Sequence, residues 1–309
     1  MSEGFGEIKL ISREEIQLDR WEEVIADSDN SIFLSFWYLD AVMQNWKTYV
    51  LNDYELVFPI LPAQKIGFNY ILQPLFLRSF SVEGKANEKK LEFLTQILKN
   101  FHFFELNFVQ ETIIPIGVQS NESVYQFLEF ESDYLKTFKK YSENTRRKLK
   151  DFQKSTAEFI EISDVKLLIE LFQKEKGNQF AHLTAESYQR LTNLMTNALA
   201  NNCGIIKAIS FENEMVAIGF FIKKGNQLLY LKGIVTSSGK KIGAMQALFD
   251  QVIQESLELC NGLDFGGSSD EGLASFNKKF GACDRNYLIL KQNKLPWLLN
   301  NVVKRKLGI

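Results

Sequence analysis

Apolar positions recur at helical and strand spacings that divide the chain into two successive rounds of similar elements. In the first round, Trp21, Val24 and Ile25 share one face of a short helix. Ser35 is placed to cap a second helix carrying Phe36, Leu39, Val42, Met43 and Trp46. Strand-type runs follow at 47–51, 55–61 and 66–72, the middle one stopped by Pro62. Leu91, Leu94, Leu98 and Phe101 then mark a helix, and 102–108 and 124–130 read as strands. In the second round a strand at 157–162 precedes a helix capped by Ser163 and another capped by Thr184. Strands at 204–211, 215–223 and 227–235 follow, the last two joined by the hairpin dipeptide Gly225-Asn226. A continuous helix is expected over 241–259, then a strand at 263–265 that ends in Gly266-Gly267. A short helix closed by Gly281, a strand at 286–291 and a helix opened by Pro296 complete the chain. The pattern predicts an α/β protein of the α+β kind with mixed sheets, built as tandem units over residues 1–140 and 141–309.

Composition narrows the class. A chain of 309 residues exceeds most single cores, and 26 phenylalanines foretell aromatic ones. The net charge of −2 supplies no global field for DNA or a membrane surface, so any basic surface is local. Cys203, Cys260 and Cys283 are odd in number and share no metal or redox spacing, which fits a reducing compartment. His102 and His182 are the only histidines, too few for a three-histidine metal site, so no metal is expected. Met1-Ser2-Glu3-Gly4 opens no signal-peptide core and no apolar run reaches membrane-span length, so the expected location is the cytoplasm.

One segment departs from neutrality. Between Lys136 and Lys154 eight Lys or Arg stand against two acids, Glu143 and Asp151. Ser142 caps the helix here, Thr145, Leu149 and Phe152 share its apolar stripe, and Arg146, Lys150 and Lys154 form a row beside it, widened by Arg147 and Lys148. Guanidinium and ammonium groups in a row suit phosphate oxygens, though a charge run also describes an ordinary solvated face.

Three motifs carry a resemblance: Thr145-Arg146-Arg147-Lys148-Leu149-Lys150, Asp264-Phe265-Gly266-Gly267, and Phe276-Asn277-Lys278-Lys279-Phe280-Gly281-Ala282. With the tandem order of elements, they resemble the FemABX group, whose members pair two N-acyltransferase units of the GNAT type. Asn277 stands where lysine is frequent in that group. The resemblance implies acyl transfer to an amine, from aminoacyl-tRNA or acyl-CoA, with no permanently bound cofactor. It further implies a phosphate-holding loop, whose nearest match is Lys240-Lys241-Ile242-Gly243-Ala244, followed by Met245 where a small residue belongs. Arg146, Arg147 and Lys150 are the alternative phosphate contacts.

On that reading Asp264, Tyr230 and Lys232 are the candidate catalytic residues. Tyr230 and Lys232 alternate along a strand and are expected to share a face. Asp264 either orients an amine or caps its own turn. Gly266 and Gly267 allow close backbone approach to a substrate or make a tight turn, and Lys278 and Lys279 contact phosphate or complement a helix dipole. Gln73-Pro74-Leu75-Phe76 is a pocket wall or a strand-ending turn, His102 a packed aromatic neighbour, and His182 a loop residue that could border the acceptor. The acceptor would be an amino sugar, a cell-envelope precursor or a peptide amine. A non-catalytic binding protein on the same scaffold, and tRNA or other nucleic-acid binding through the 136–154 helix, are the alternatives.

Overall fold

The computed structural model describes residues 5–65, 67–180, 183–267 and 270–296. Met1-Ser2-Glu3-Gly4, Ile66, His182 and the helix expected beyond Pro296 therefore lie outside the described residues. The chain packs as two units, one of Met1–Ser123 with Asn286–Ile309 and one of Val124–Arg285. The sequence pattern puts the division at 140/141, where the basic helix begins.

In the first unit the order is β1 (Ile8–Ser12), α1 (Leu18–Ile25), α2 (Ser31–Leu34), α3 (Phe36–Val42), β2 (Lys47–Leu51), β3 (Leu56–Ile60), β4 (Pro62–Lys65), β5 (Phe68–Ile71), β6 (Glu83–Gly84), α4 (Lys90–Leu98), β7 (Phe103–Val109) and the start of β8 (Gln119–Glu129), whose residues from Val124 on belong to the second unit. One sheet has the order β1-β2-β3-β6. Pro62 ends β3 as expected, but the chain continues directly into β4. The expected helix around Trp46 is shorter, because α3 stops at Val42 and Met43 is already extended. Trp46 instead joins Trp21 and Phe36 in a triad of rings with centroids 5.4–5.8 Å apart, in which Trp21 is fully buried. Phe58 of β3 and Phe108 of β7 stack at 5.6 Å between ring centroids. Such rings each remove a large apolar area from water, worth roughly 1.5–3 kcal/mol apiece before entropy is charged against it.

The second unit continues with α5 (Tyr134–Lys139), α6 (Glu143–Lys154), β9 (Glu158–Ile160), α7 (Lys166–Lys176), α8 (Ala185–Ala200), β10 (Gly204–Phe211), β11 (Glu214–Lys224), β12 (Gln227–Val235), α9 (Ser237–Ile242), α10 (Ala244–Ser256), β13 (Gly262–Asp264), α11 (Glu271–Lys278) and β14 (Cys283–Asn293). The strand order is β8-β13-β12-β11-β10-β9. All neighbours are antiparallel except β12 and β13, which run parallel because α10 crosses over between them. α5 has no counterpart in the sequence-based expectation. Beyond its start, β14 leaves this unit and pairs with β7.

The long helix expected over 241–259 is two helices. Gly243, at φ +79°, closes α9 and opens α10. Apolar spacing alone does not register this break, since Ile242 and Met245 remain in phase.

Candidate functional site

The second unit holds most of the candidate residues, around the place where β12 and β13 part. Parallel pairing covers only Gln227–Leu229 against Gly262–Asp264. Beyond it β13 turns away at Phe265-Gly266-Gly267, and β12 runs on alone on that side. Gly266 is required twice over: its φ is +81°, and a Cβ there would stand 2.7 Å from the Tyr230 carbonyl oxygen. Asp264 closes this turn, its Oδ1 accepting the Gly266 N–H at 2.8 Å.

Across β12 the antiparallel register with β11 matches Phe220 to Lys232 but Phe221 to Tyr230. Leu231 is the extra residue of a β-bulge, without a partner in that register. The bulge overturns the expectation that Tyr230 and Lys232 share a face. Tyr230 packs against Phe249 of α10 (4.7 Å between ring centroids) and Phe221 (5.3 Å). Lys232 turns to the opposite side, where its Nζ lies 3.8 Å from the ring centre of Phe172 on α7 and 5.1 Å from that of Phe180.

The two environments tune the groups differently. Burial lowers the Lys232 ammonium from its ordinary value to about 8. Burial raises the Tyr230 phenol well above its ordinary value, so it stays protonated and can donate but not take up a proton. Gly233 leaves room for the Tyr230 hydroxyl, which would stand 2.6 Å from a Cβ at that position.

The expected phosphate loop is organised for packing. Residues 237–242 form α9 rather than an open cradle, and Thr236 caps it by accepting the Gly239 N–H. Gly243 and Ala244 are buried, and a Cβ on Gly243 would meet the Lys148 carbonyl oxygen of α6 at 2.4 Å. Lys148 Nζ also donates to the Lys241 carbonyl at 2.7 Å. The backbone at the α9–α10 junction is thus covered by α6, while Lys240 and Lys241 are exposed.

α6 itself forms where expected. Ser142 Oγ accepts the Thr145 N–H, and Thr145 and Leu149 are buried against the unit. The Lys279 carbonyl fixes the start of the helix, accepting from the Ser142 N–H (2.7 Å) and from Thr145 Oγ1 (3.0 Å). Arg146, Arg147, Lys150 and Lys154 are exposed. Arg147 donates to Asn144 Oδ1, and among the described residues Arg146, Lys150 and Lys154 enter no ion pair.

Lys278 pairs with Asp284 at 2.6 Å. Asp284 accepts from Gln126, and the Gln126 Oε1 accepts from buried Asn277 at 3.2 Å. Asn277 therefore serves a hydrogen-bonded chain inside the unit. In the first unit, His102 Nδ1 accepts the Asn69 N–H and its ring meets Phe68 edge-on, the packed role expected of it. Gln73 bonds to Leu77 and Asn107 and shapes a turn. Cys203, Cys260 and Cys283 form no disulfide.

The structure thus brings Lys232, Tyr230, Asp264 and Gly266 to one strand divergence, and places the basic face of α6 on a separate surface of the same unit. Sequence reasoning missed Phe180 and the bulge at Leu231. Tyr230-Leu231-Lys232 reads as regular alternation, so no local signal marks it. Among the described residues no group of three His, Cys, Asp or Glu could hold a metal ion, and no helix is long and apolar enough to cross a membrane.

No protein-family model and no curated protein sequence matches the chain. Solved structures do. FemX superposes with a TM-score of 0.68 over 96% of this chain and 99% of its own, at 11% identity. L-PGS from Bacillus licheniformis gives 0.57 over 95% and 98%, at 15% identity. A tandem GNAT protein from the clavulanic acid biosynthesis pathway gives 0.51 over 94% and 99%, at 7% identity. The chain is a mixed α/β protein with the tandem GNAT-type fold of FemABX-like proteins.

Proposed function

We propose that the protein transfers an acyl or aminoacyl group from a phosphate-bearing carrier to an amine, at the divergence of β12 and β13. One observation carries this reading: the Lys232 ammonium, its pKa lowered by burial, stands against the rings of Phe172 and Phe180 next to the bulge at Leu231. An amine acceptor arrives as an ammonium ion and must lose a proton before it attacks. A base with a pKa near the working pH does this best. Lys232 takes that role. The neutral amine nitrogen then attacks the donor carbonyl, and the oxyanion that forms is stabilised by hydrogen-bond donors placed in advance. The backbone N–H of Leu231, at the bulge, is the proposed donor. The ester or thioester bond to the carrier breaks as the amide forms, and the leaving group takes up a proton. Asp264, engaged by its own turn, positions Gly266 rather than a substrate.

An aminoacyl group on tRNA is favoured over acyl-CoA by a specific observation: the α9–α10 junction is closed by α6 and offers no open backbone cradle for a pyrophosphate. The phosphates then lie on Arg146, Lys150 and Lys154. Incubating the protein with charged tRNA, or with acyl-CoA, and a panel of amino sugars and peptide amines tests this. Mass spectrometry should find a new amide from the tRNA donor, with loss of product in Lys232→Met. A non-catalytic binding protein is the second reading, supported by the same closed junction and by Asn277 at the place of a frequent lysine. Saturable amine binding with no amide from any donor would favour it.

A further inference from the structure

The first unit repeats the strand divergence of the second, and its own divergence encloses a cavity. The Phe80 N–H donates to the Asn107 carbonyl at 2.7 Å, and the Val109 N–H donates to the Phe80 carbonyl at 3.0 Å, a parallel bridge between Phe80 and Phe108. Three residues later the strand has left β7, and Glu83 and Gly84 pair with Val57 and Leu56 of β3. α4 lies between the two parting strands in sequence, as α10 lies between β12 and β13.

The space so opened has a volume of about 410 Å³, the size of a small-ligand pocket. Val82, Leu91, Leu94 and Ile113 give it an apolar lining. Leu91 and Ile113 are themselves exposed, at 38% and 58%. The charged groups on its walls are Asp27, Asp29, Glu83 and Glu111, with Lys90 as the single cation. Glu83 accepts a hydrogen bond from Ser28, and among the described residues Asp27, Asp29 and Glu111 enter no ion pair. The walls therefore repel phosphate and carboxylate and attract a cation, while the lining removes an apolar body from water.

We propose that this cavity binds a small organic amine, with the ammonium group among the carboxylates and an alkyl or aryl body on the apolar lining. The inference does not depend on the transferase reading, since it concerns binding within the first unit alone.

Calorimetric titration of the full chain with n-hexylamine, hexanoate and 1-hexanol tests it, since the three share one body and differ in charge. Hexylamine should bind saturably, with hexanoate and hexanol weaker by about tenfold or more. The exposed double substitution Asp29→Lys with Glu111→Lys should weaken hexylamine by about tenfold or more while leaving the melting temperature nearly unchanged. Amide chemical-shift changes on hexylamine addition should map to Val82, Leu94 and Thr112. The proposal is overturned by no binding of hexylamine at millimolar concentration, by equal binding of hexanoate or hexanol, by an unaffected double variant, or by shifts confined to other residues.

Discussion

Lys232 and Tyr230, two positions apart on one strand, face opposite sides of their sheet. One extra residue, Leu231, makes the difference, because a bulge shifts the side-chain period by one. The lysine is thereby half-buried against two phenylalanine rings, and the tyrosine packs on the core beside α10.

Burying an ammonium has a thermodynamic consequence with a definite sign. The folded-state value is about 8, below the ordinary 10.5. Between those values the unfolded chain holds a proton that the folded chain lacks, so stability rises with pH across this window. Below pH 8 the full penalty applies. Lys232→Met should therefore stabilise the protein at pH 7, by at most about 3 kcal/mol. The gain should fade as the pH approaches 10. Chemical denaturation of both proteins at pH 7 and pH 10 checks this.

The same value sets the pH profile of turnover. A general base of pKa about 8 should give a kcat/KM that rises with pH and levels off above 8. A profile flat from pH 6 to 9 would remove Lys232 from that role.

Deleting Leu231 separates the bulge from the lysine. A regular ladder would still match Phe220 to Lys232 and Phe221 to Tyr230, so the fold and the lowered lysine pKa should survive. Loss of the bulge N–H should reduce turnover by about 10²-fold or more. Melting temperature, lysine titration by NMR and initial rates report the three properties separately.

Gly243→Ala is predicted to destabilise the protein by roughly 3 kcal/mol, whatever the donor. It puts a Cβ on a left-handed backbone and 2.4 Å from the Lys148 carbonyl. A thermal melt decides it, and a neutral outcome would show that α6 can lift from the α9–α10 junction.

The basic face of α6 makes a quantitative prediction for tRNA. Replacing Arg146, Lys150 and Lys154 by alanine should weaken binding and lower the slope of log affinity against log salt by about 0.7–0.9 for each phosphate left unneutralised. Their exposure makes a folding defect an unexpected outcome.

Much of this was legible in the sequence. Ser142 and Thr184 cap helices as their spacing indicates, and Gly281 closes α11 with a positive φ. The repeated plan is real: each unit has a parallel strand pair with a helix between its strands in sequence, β5 and β7 around α4 and β12 and β13 around α10. The bulge was not legible, since it depends on how β11 and β12 twist together and Tyr230-Leu231-Lys232 keeps a regular pattern. The break at Gly243 leaves the apolar spacing in phase, and the close approach of Lys148 on α6 comes from about a hundred residues earlier in the chain. The role of Phe180 likewise depends on a tertiary contact with Lys232.

The most direct measurement is single-turnover aminolysis of a charged tRNA pool, comparing wild type with Lys232→Met at pH 8, with the melting temperature of each recorded alongside. Wild type should form the amide, and Lys232→Met should be slower by about 10²-fold or more while melting at the same or a higher temperature. Equal rates in the two proteins would remove Lys232 from the reaction.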